Sequence, residues 1–347
     1  MKISIIIPCY KAELFLPTII DDITLQTYQN YEVIFVSNGN DREKQEIIIN
    51  DYINKYSNFR LISTPVGNVS KARNMGILNS NGEYITFLDA DDRISKYYLE
   101  KLAHKAIDSD IVIGGYIQYY EKEKKQIEYK IDTSIITCAK DFLEIGWNIA
   151  AVPVAKLYYK SFLIKTKVLF SEEISYMEDG IFNYQLALLT NNITYVDQTG
   201  YTYLCRDNMS AVSRYHQNFQ KAWEKRNQLD LDLHKKYFPD FSYEEMKNEI
   251  TYVMAYESLQ NIFKNGNPFS FLEKKEEVNN LLFKNPAIKD SIKNKSKEDI
   301  NILYIIFNML FSSRSSLLIT IVYDSLHRLR NAFGSLYYKI RSWLWNQ

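Results

Sequence analysis

The chain has 347 residues, of which 46% are hydrophobic and 24% are charged, a balance typical of a globular protein with a full core and not of a disordered chain. Its formal net charge is zero, which argues against a partner attracted by an overall field, such as nucleic acid. Three widely spaced cysteines, Cys9, Cys138 and Cys205, predict neither a disulfide framework nor a zinc site, as expected in the reducing cytoplasm. The apolar run after Met1 is too short for a signal peptide and indicates a buried strand, so we expect a cytoplasmic protein.

Short apolar runs alternate with helical patterns in the first half of the chain. Strands are predicted over residues 3–7, 32–36, 59–62 and 84–88. Helices are predicted over residues 14–23, 47–53 and 69–78. This alternation predicts βαβ units and a parallel sheet, and the continuous apolar strands indicate that helices cover both faces of that sheet. Residues 111–120 predict one further strand, and beyond about residue 215 the pattern becomes mostly helical.

Polar clusters follow three of the predicted strands. They occupy residues 8–11, 37–41 and 89–92. In a parallel sheet the carboxyl ends of the strands meet at one edge, and ligands bind in the crevice beyond that edge. Packing alone does not account for three polar clusters in this position, so the sequence predicts a ligand-binding cleft there.

Acidic residues form two candidate catalytic clusters. Asp89 and Asp91 are two positions apart after a predicted strand, so both can point into one cleft, where carboxylates suit Mg²⁺ or Mn²⁺ that also binds phosphate. The alternative is structural, because Asp92 or Ser95 could cap the helix that follows. Asp179 comes after Glu178 at the beginning of an apolar helix. It could act as a general base, or the pair could only favour the positive end of the helix.

Two arginines are candidates for binding an anionic ligand. Arg73 could address a phosphate or a base carbonyl with its planar fork of donors, although an amphipathic helix with a solvated Lys71 would explain the same stretch. Arg206 could close over a diphosphate, although an alternating strand that ends in a polar loop would also place an arginine there.

Four segments, in matching order and spacing, resemble the family 2 glycosyltransferases. They are residues 5–11, 32–41, 70–76 and 82–92. Asp179 and residues 206–210 extend the resemblance, less tightly, to about residue 215. The resemblance implies a GT-A fold, which is an α/β, Rossmann-like domain with a mostly parallel central sheet flanked by helices. We therefore expect a catalytic domain over residues 1–215 and a mainly helical region over residues 216–347.

The resemblance also implies how a nucleotide-sugar donor is bound. Pro8 and Tyr10 would line the pocket of the nucleotide base, Arg73 would lie near the nucleotide, and Arg206 would sit over the diphosphate. Asp91 would be the principal ligand of Mn²⁺ or Mg²⁺, and Asp89 would contact the metal or the ribose.

Catalysis in this family implies an inverting single displacement, in which Asp179 would be the general base that deprotonates the acceptor hydroxyl. The sequence departs from the family at the end of the second strand, where two acids are usual and Ser37 and Asn38 stand here. An amide can still pair with a base edge, so Asn38 joins the nucleotide-binding candidates and UDP is the favoured nucleotide. Lys11 stands where the family usually has Asn.

The expected function is metal-dependent transfer of a sugar from a nucleotide-diphosphate sugar to a hydroxyl of a glycan or lipid-linked acceptor in bacterial surface polysaccharide synthesis. One alternative is a nucleotidyltransferase, but that class usually carries an early glycine-rich phosphate loop, and none follows Ile7. The other is a non-catalytic scaffold that binds nucleotide sugars, against which the intact Asp91 and Asp179 argue.

The last stretch, residues 300–347, is apolar and then basic and aromatic. Arg314 and four serines interrupt residues 300–323, so we predict no spanning helix. Basic residues beside aromatic ones from Arg328 onward are typical of an interfacial helix on anionic lipid, which indicates peripheral contact with the cytoplasmic leaflet of the inner membrane. The alternatives are a helical cap on the catalytic domain and a contact between copies in a homo-oligomer.

Overall fold

The computed structural model describes residues 1–206, 214–240, 242–294 and 302–328. The chain divides into two compact units, Met1–Met209 and Ser210–Gln347. The catalytic-domain boundary at residue 215 stays a prediction.

The described part of the first unit contains two sheets and their flanking helices. Its strands are β1 (Ile3–Cys9), β2 (Tyr31–Asn38), β3 (Phe59–Thr64), β4 (Tyr84–Phe87), β5 (Arg93–Ile94), β6 (Ile111–Gly114), β7 (Tyr116–Tyr120), β8 (Lys125–Tyr129), β9 (Lys156–Tyr159), β10 (Ile193–Val196) and β11 (Tyr201–Cys205). Its α-helices are α1 (Leu16–Thr24), α2 (Glu43–Ile53), α3 (Val69–Asn79), α4 (Tyr98–Ala103), α5 (Trp147–Ala150), α6 (Lys160–Thr166) and α7 (Glu178–Leu189), and a 3₁₀ helix spans Ala139–Leu143.

Within residues 1–206 the larger sheet has seven strands in the order β10-β6-β9-β4-β1-β2-β3. All neighbouring pairs are parallel except those of β9, which runs antiparallel to both β4 and β6. The expected α/β class with a mostly parallel central sheet is confirmed. Because β4, β1 and β2 are adjacent and parallel, the polar clusters that follow them lie at one edge of the sheet.

Local sequence explains why these elements form. Every residue of β2 is buried, as expected for a strand covered on both faces. In α1 the buried apolar side chains recur at helical spacing, at Leu16, Ile19, Ile20 and Ile23. The Asn68 side chain caps α3 by accepting a hydrogen bond from the Lys71 backbone nitrogen at 2.9 Å, a role for which asparagine is among the preferred residues.

The prediction of one strand over residues 111–120 is wrong, because β6 belongs to the larger sheet and β7 to a second sheet with the order β5-β11-β7-β8. The chain changes sheets at Gly115. A Cβ built on Gly115 would come 2.2 Å from the carbonyl oxygen of Asp197 and 2.3 Å from that of Tyr129. Glycine therefore permits a close backbone approach that ends one strand and begins the next.

The second unit is mainly helical over its described residues, as expected. Its α-helices are α8 (Phe219–Tyr237), α9 (Tyr243–Ile262), α10 (Phe271–Asn279), α11 (Pro286–Asn294) and α12 (Ile302–Ser312), and residues 316–328 are also helical. Among the residues described, we find no helix with the length and apolar character needed to cross a membrane. The basic and aromatic residues predicted to meet lipid after Arg328 lie outside the described residues.

Candidate active site

The acidic loop after β4 separates its carboxylates into two environments. The side chains of Asp89 and Asp91 are 30% and 44% exposed. Asp92 is buried and accepts hydrogen bonds from the Tyr201 hydroxyl and, at 2.9 Å, from the Leu204 backbone nitrogen. Tyr97 is the N-cap residue of α4, so the alternative that Asp92 or Ser95 caps this helix is wrong. Asp92 instead anchors β11, which precedes Arg206, while Asp89 and Asp91 remain accessible.

Arg73 joins two acids that are far apart in the sequence. Helix α3 carries it into the interior, where only 4% of its side chain is exposed. One terminal nitrogen lies 2.6 Å from Oδ1 of Asp179, and the other lies 3.1 Å from Oδ1 of Asp89. Oε1 of Glu178 is 3.9 Å from the first of these nitrogens. The acid predicted near the donor and the predicted general base therefore share one guanidinium, which places them in the same cleft.

The surroundings of Asp179 suit a proton acceptor. It lies in the first turn of α7, and 29% of its side chain still reaches solvent. Burial raises the pKa of Asp179 and the charge of Arg73 opposes that rise, while Glu178 and Asp89 raise it and Lys156 lowers it. The result is a pKa well above the ordinary aspartate value, which makes this carboxylate a stronger base than an exposed one.

Arg206 lies beside Asp91 in a cavity of about 180 Å³. Its Nη1 is 3.2 Å from Oδ2 of Asp91, and its Nε is 3.3 Å from Oε1 of Glu121. The guanidinium stands 4.6 Å from the centre of the Phe15 ring, a distance typical of a cation–π contact. The predicted diphosphate-binding arginine and the predicted metal ligand are thus direct neighbours.

A second cavity, of about 170 Å³, lies at the ends of β1 and β2. Tyr10 and Asn38 line it, together with Gly39 and Gly67. The Tyr10 ring packs against the glycines, since a Cβ on Gly39 would come 2.7 Å from Cε2 of Tyr10. Pro8 is half-buried in β1 and is not among the residues that line this cavity.

The two departures from the family pattern take part in this cavity. Asn38 donates from Nδ2 to the Cys9 carbonyl oxygen at 2.9 Å, so its Oδ1 is the atom left to accept from a ligand. Lys11 has a left-handed backbone with φ of 52°, a conformation in which asparagine is enriched. The usual asparagine of the family therefore fits the backbone here better than lysine does.

Asp89 and Asp91 are the candidate ligands for a divalent cation. Within the described residues, no cluster of three or more His, Cys, Asp or Glu side chains is arranged to hold a metal. Asp89 and Asp91 supply two carboxylates, and burial together with the charge of Asp89 raises the pKa of Asp91. Such a pair suits Mg²⁺, which commonly takes one or two carboxylates and completes its shell with water and substrate phosphate.

Gly180, directly after Asp179, allows α5 to approach α7. A Cβ on Gly180 would lie 2.4 Å from Cη2 of Trp147. We expect Gly180→Ala to destabilise the protein by about 1–3 kcal/mol, because overpacking outweighs the gain of up to about 1 kcal/mol that alanine brings to a helix. Urea unfolding measures this change. Adding Trp147→Leu should recover most of the loss, whereas a Gly180→Ala protein more stable than the original would contradict the contact.

Parts of this sequence are similar to known proteins. Residues 4–165 match the family model described as glycosyl transferase family 2. The chain is 28% identical over 216 residues to glycosyltransferase GlyA of Streptococcus pneumoniae, a match that covers 59% of this chain and 31% of GlyA. It is 29% identical over 241 residues to a poly(ribitol-phosphate) beta-glucosyltransferase of Bacillus spizizenii, covering 65% of this chain and 36% of that protein. The chain thus spans about a third of the length of these two relatives.

The fold is similar to the crystal structure of S. aureus TarS 1-349 in complex with UDP-GlcNAc. The TM-score is 0.59 at 18% identity, with 96% of this chain and 92% of that chain covered. At this identity the similarity concerns the fold alone, and the expected GT-A fold class is confirmed.

Proposed function

We propose that this chain, whose residues 4–165 match the model of the family 2 glycosyltransferases, transfers a sugar, with inversion, from a nucleotide-diphosphate sugar to an acceptor hydroxyl. The observation that carries this proposal is the guanidinium of Arg73, which holds Asp89 and Asp179 in one cleft. A donor-binding acid and a proton acceptor in one cleft are what a single displacement needs.

In this reaction Asp179 takes the proton of the acceptor hydroxyl as its oxygen attacks the anomeric carbon. The bond from that carbon to the diphosphate oxygen breaks on the opposite face, so the configuration inverts. Arg206 stabilises the negative charge that grows on the leaving diphosphate. Asp91 and Asp89 are the residues that would hold Mn²⁺ or Mg²⁺, and the bound metal would supply further positive charge to the diphosphate.

UDP is the proposed nucleotide. Asn38 lines the cavity beside Tyr10, and its Oδ1 is an acceptor of the kind that suits the N3–H of uracil. TarS, which is similar in fold, has been solved in complex with UDP-GlcNAc. The proposed acceptor is a glycan or lipid-linked chain of a bacterial surface polysaccharide. A relative that glucosylates poly(ribitol-phosphate) supports that class of acceptor.

A screen of nucleotide sugars by thermal shift with Mn²⁺ tests this function, because a ligand that binds the folded state raises its stability by mass action. Hydrolysis of the bound donor, measured without acceptor, separates the alternatives. A glycosyltransferase should release UDP slowly, a nucleotidyltransferase should release pyrophosphate from a nucleoside triphosphate, and a binding scaffold should do neither.

Replacing Asp91 with alanine should abolish metal-dependent donor binding, since Asp91 is the proposed principal ligand and its carboxylate is 44% exposed to the cleft. Calorimetry of UDP-sugar binding with and without Mn²⁺ measures this. Asp132→Asn, a change of an exposed carboxylate that bonds Ser134, is the control. Unchanged Mn²⁺-dependent affinity in Asp91→Ala would remove Asp91 from the metal site.

We also propose that the second unit contacts anionic membrane. Helix α12 and residues 316–328 expose large apolar side chains, among them Ile305, Met309, Leu317 and Ile321. Sedimentation with vesicles that contain anionic lipid should capture the protein, and Met309→Glu with Leu317→Glu should release it, because a charge opposes insertion of an apolar face. Ile107→Glu, at an exposed site of the first unit, is the control. A chain that stays in solution with every vesicle would contradict the proposal.

A further inference from the structure

Lys156 has a buried ammonium group that takes no part in the reaction proposed above. It lies in β9 in the larger sheet, with no part of its side chain exposed. Fully buried lysines are rare unless their charge is compensated. Its Nζ donates to the carbonyl oxygens of Ile149, at 2.7 Å, and Val152, at 2.5 Å, and in the described part of the chain it forms no ion pair.

The carbonyl oxygen of Val152 connects Lys156 to the helix of the proposed base. Asn183, one turn after Asp179 on α7, donates from Nδ2 to the carbonyl oxygens of Ala151 at 2.8 Å and Val152 at 3.1 Å. Its Oδ1 accepts a hydrogen bond from the Tyr158 hydroxyl at 2.7 Å. Strand β9, the end of α5 and the first turns of α7 are therefore joined through one buried polar network, which fixes the start of α7 relative to the ammonium of Lys156.

We propose that Lys156 is a positioning residue for Asp179, whose buried ammonium, held by the carbonyl oxygens of Ile149 and Val152, provides a second positive charge beside Arg73 that keeps Asp179 ionised. This proposal rests on the proposed function of Asp179 as the general base. Lys156 touches neither donor nor acceptor in this arrangement and acts through the carboxylate.

The electrostatics of the pair are reciprocal. Burial lowers the pKa of Lys156 to about 7, although Asp179 acts to raise it. In turn Lys156 lowers the pKa of Asp179 against the effect of burial. The other charges that act on Asp179 are Arg73 from α3, Glu178 from its own helix and Asp89 from the loop after β4. Because Lys156 loses its proton near neutral pH, its effect on Asp179 should be largest below pH 7.

The kinetic test compares Lys156→Met, which removes the charge, with Lys156→Arg, which keeps it. For Lys156→Met we expect the acidic limb of the kcat profile to move to higher pH by about one unit, because a lost positive charge raises the pKa of a carboxylate. The KM for the donor should stay within about twofold and the defect should shrink at high pH, while Lys156→Arg should keep the original limb. The control is Lys160→Met, which also loses a bond to a backbone carbonyl, that of Ser80. An acidic limb in Lys156→Met that coincides with that of the original protein would overturn the proposal.

A second measurement needs neither a folded Lys156→Met protein nor activity. The ¹³Cε signal of Lys156 is titrated by NMR in the original protein and in Asp179→Asn, with Lys156→Arg used to assign it. The midpoint should fall in Asp179→Asn, because the negative partner that favours the ammonium is gone. An unchanged midpoint would refute the pairing. If the midpoint falls in Asp179→Asn but the original protein transfers no sugar, the pairing is supported and the proposed function is refuted.

Discussion

Asp179→Asn should bind the donor as the original protein does and lose at least about a hundredfold in kcat, because positioned general-base catalysis contributes about 10²–10⁴ in rate. Asparagine has nearly the same shape and can still accept a hydrogen bond from Arg73, which now lies 2.6 Å from Oδ1 of Asp179. It cannot accept the proton of the acceptor hydroxyl, because a side-chain amide does not act as a base near neutral pH. The expected loss therefore falls on kcat and not on the affinity for the donor.

Steady-state transfer with saturating donor and acceptor measures kcat, and calorimetry measures donor affinity. Asp132→Asn, the same chemical change at an exposed carboxylate that bonds Ser134, should leave both unchanged. Near-normal turnover in Asp179→Asn would remove Asp179 from the mechanism, and another group would have to take the proton.

Arg73→Gln should cost about 3–5 kcal/mol of stability at pH 8, the range expected when one partner of a buried ion pair is removed. Only 4% of the Arg73 side chain is exposed, and it faces Asp89, Asp179 and Glu178. Burial already raises the pKa of Asp179 and of Glu178, and the charge of Arg73 opposes both rises. Without Arg73, less positive charge offsets the cost of keeping these two buried acids ionised in the folded protein.

The loss should depend on pH in one direction. When Arg73 is absent, the pKa values of Asp179 and Glu178 in the folded state rise further above those of the unfolded chain. The original protein and Arg73→Gln depend on pH in the same way while these acids are protonated in both folded states. This part of the loss therefore begins only above the folded pKa values of the original protein, and it grows as the pH rises towards the higher values of Arg73→Gln.

Urea unfolding at pH 5 and pH 8 measures this dependence. Arg42→Gln is the matched control, because Arg42 forms a partly exposed pair with Glu46 and should cost less than about 1 kcal/mol at either pH. Arg73→Lys should be intermediate, since it keeps the charge and loses the planar fork. An Arg73→Gln protein that is equally destabilised at both pH values would contradict the proposed compensation.

Some features of this protein are determined by sequence alone, because they depend on neighbours along the chain. The buried strand β2 follows from a continuous apolar run, and the cap at Asn68 follows from a polar residue directly before a helix. The position of the cleft is predictable too, because parallel strands end at a common edge wherever they lie in the sheet. That rule is enough to bring Asp89, Asp91 and Asn38 to the same edge.

Tertiary structure decided which charged groups meet. Arg73 contacts Asp179 as well as Asp89, and Lys156 and Asn183 both donate to the carbonyl oxygen of Val152. Both arrangements depend on how α3, β9 and α7 pack. No local pattern marks such pairs, because each partner is also compatible with a solvated surface. The sheet change at Gly115 is unpredictable for the same reason, since the close approach of the Asp197 and Tyr129 backbones is not visible in neighbouring residues. Hydrophobic periodicity is a property of a segment, whereas the ionisation of a buried carboxylate depends on charges that only the folded chain brings within a few ångströms.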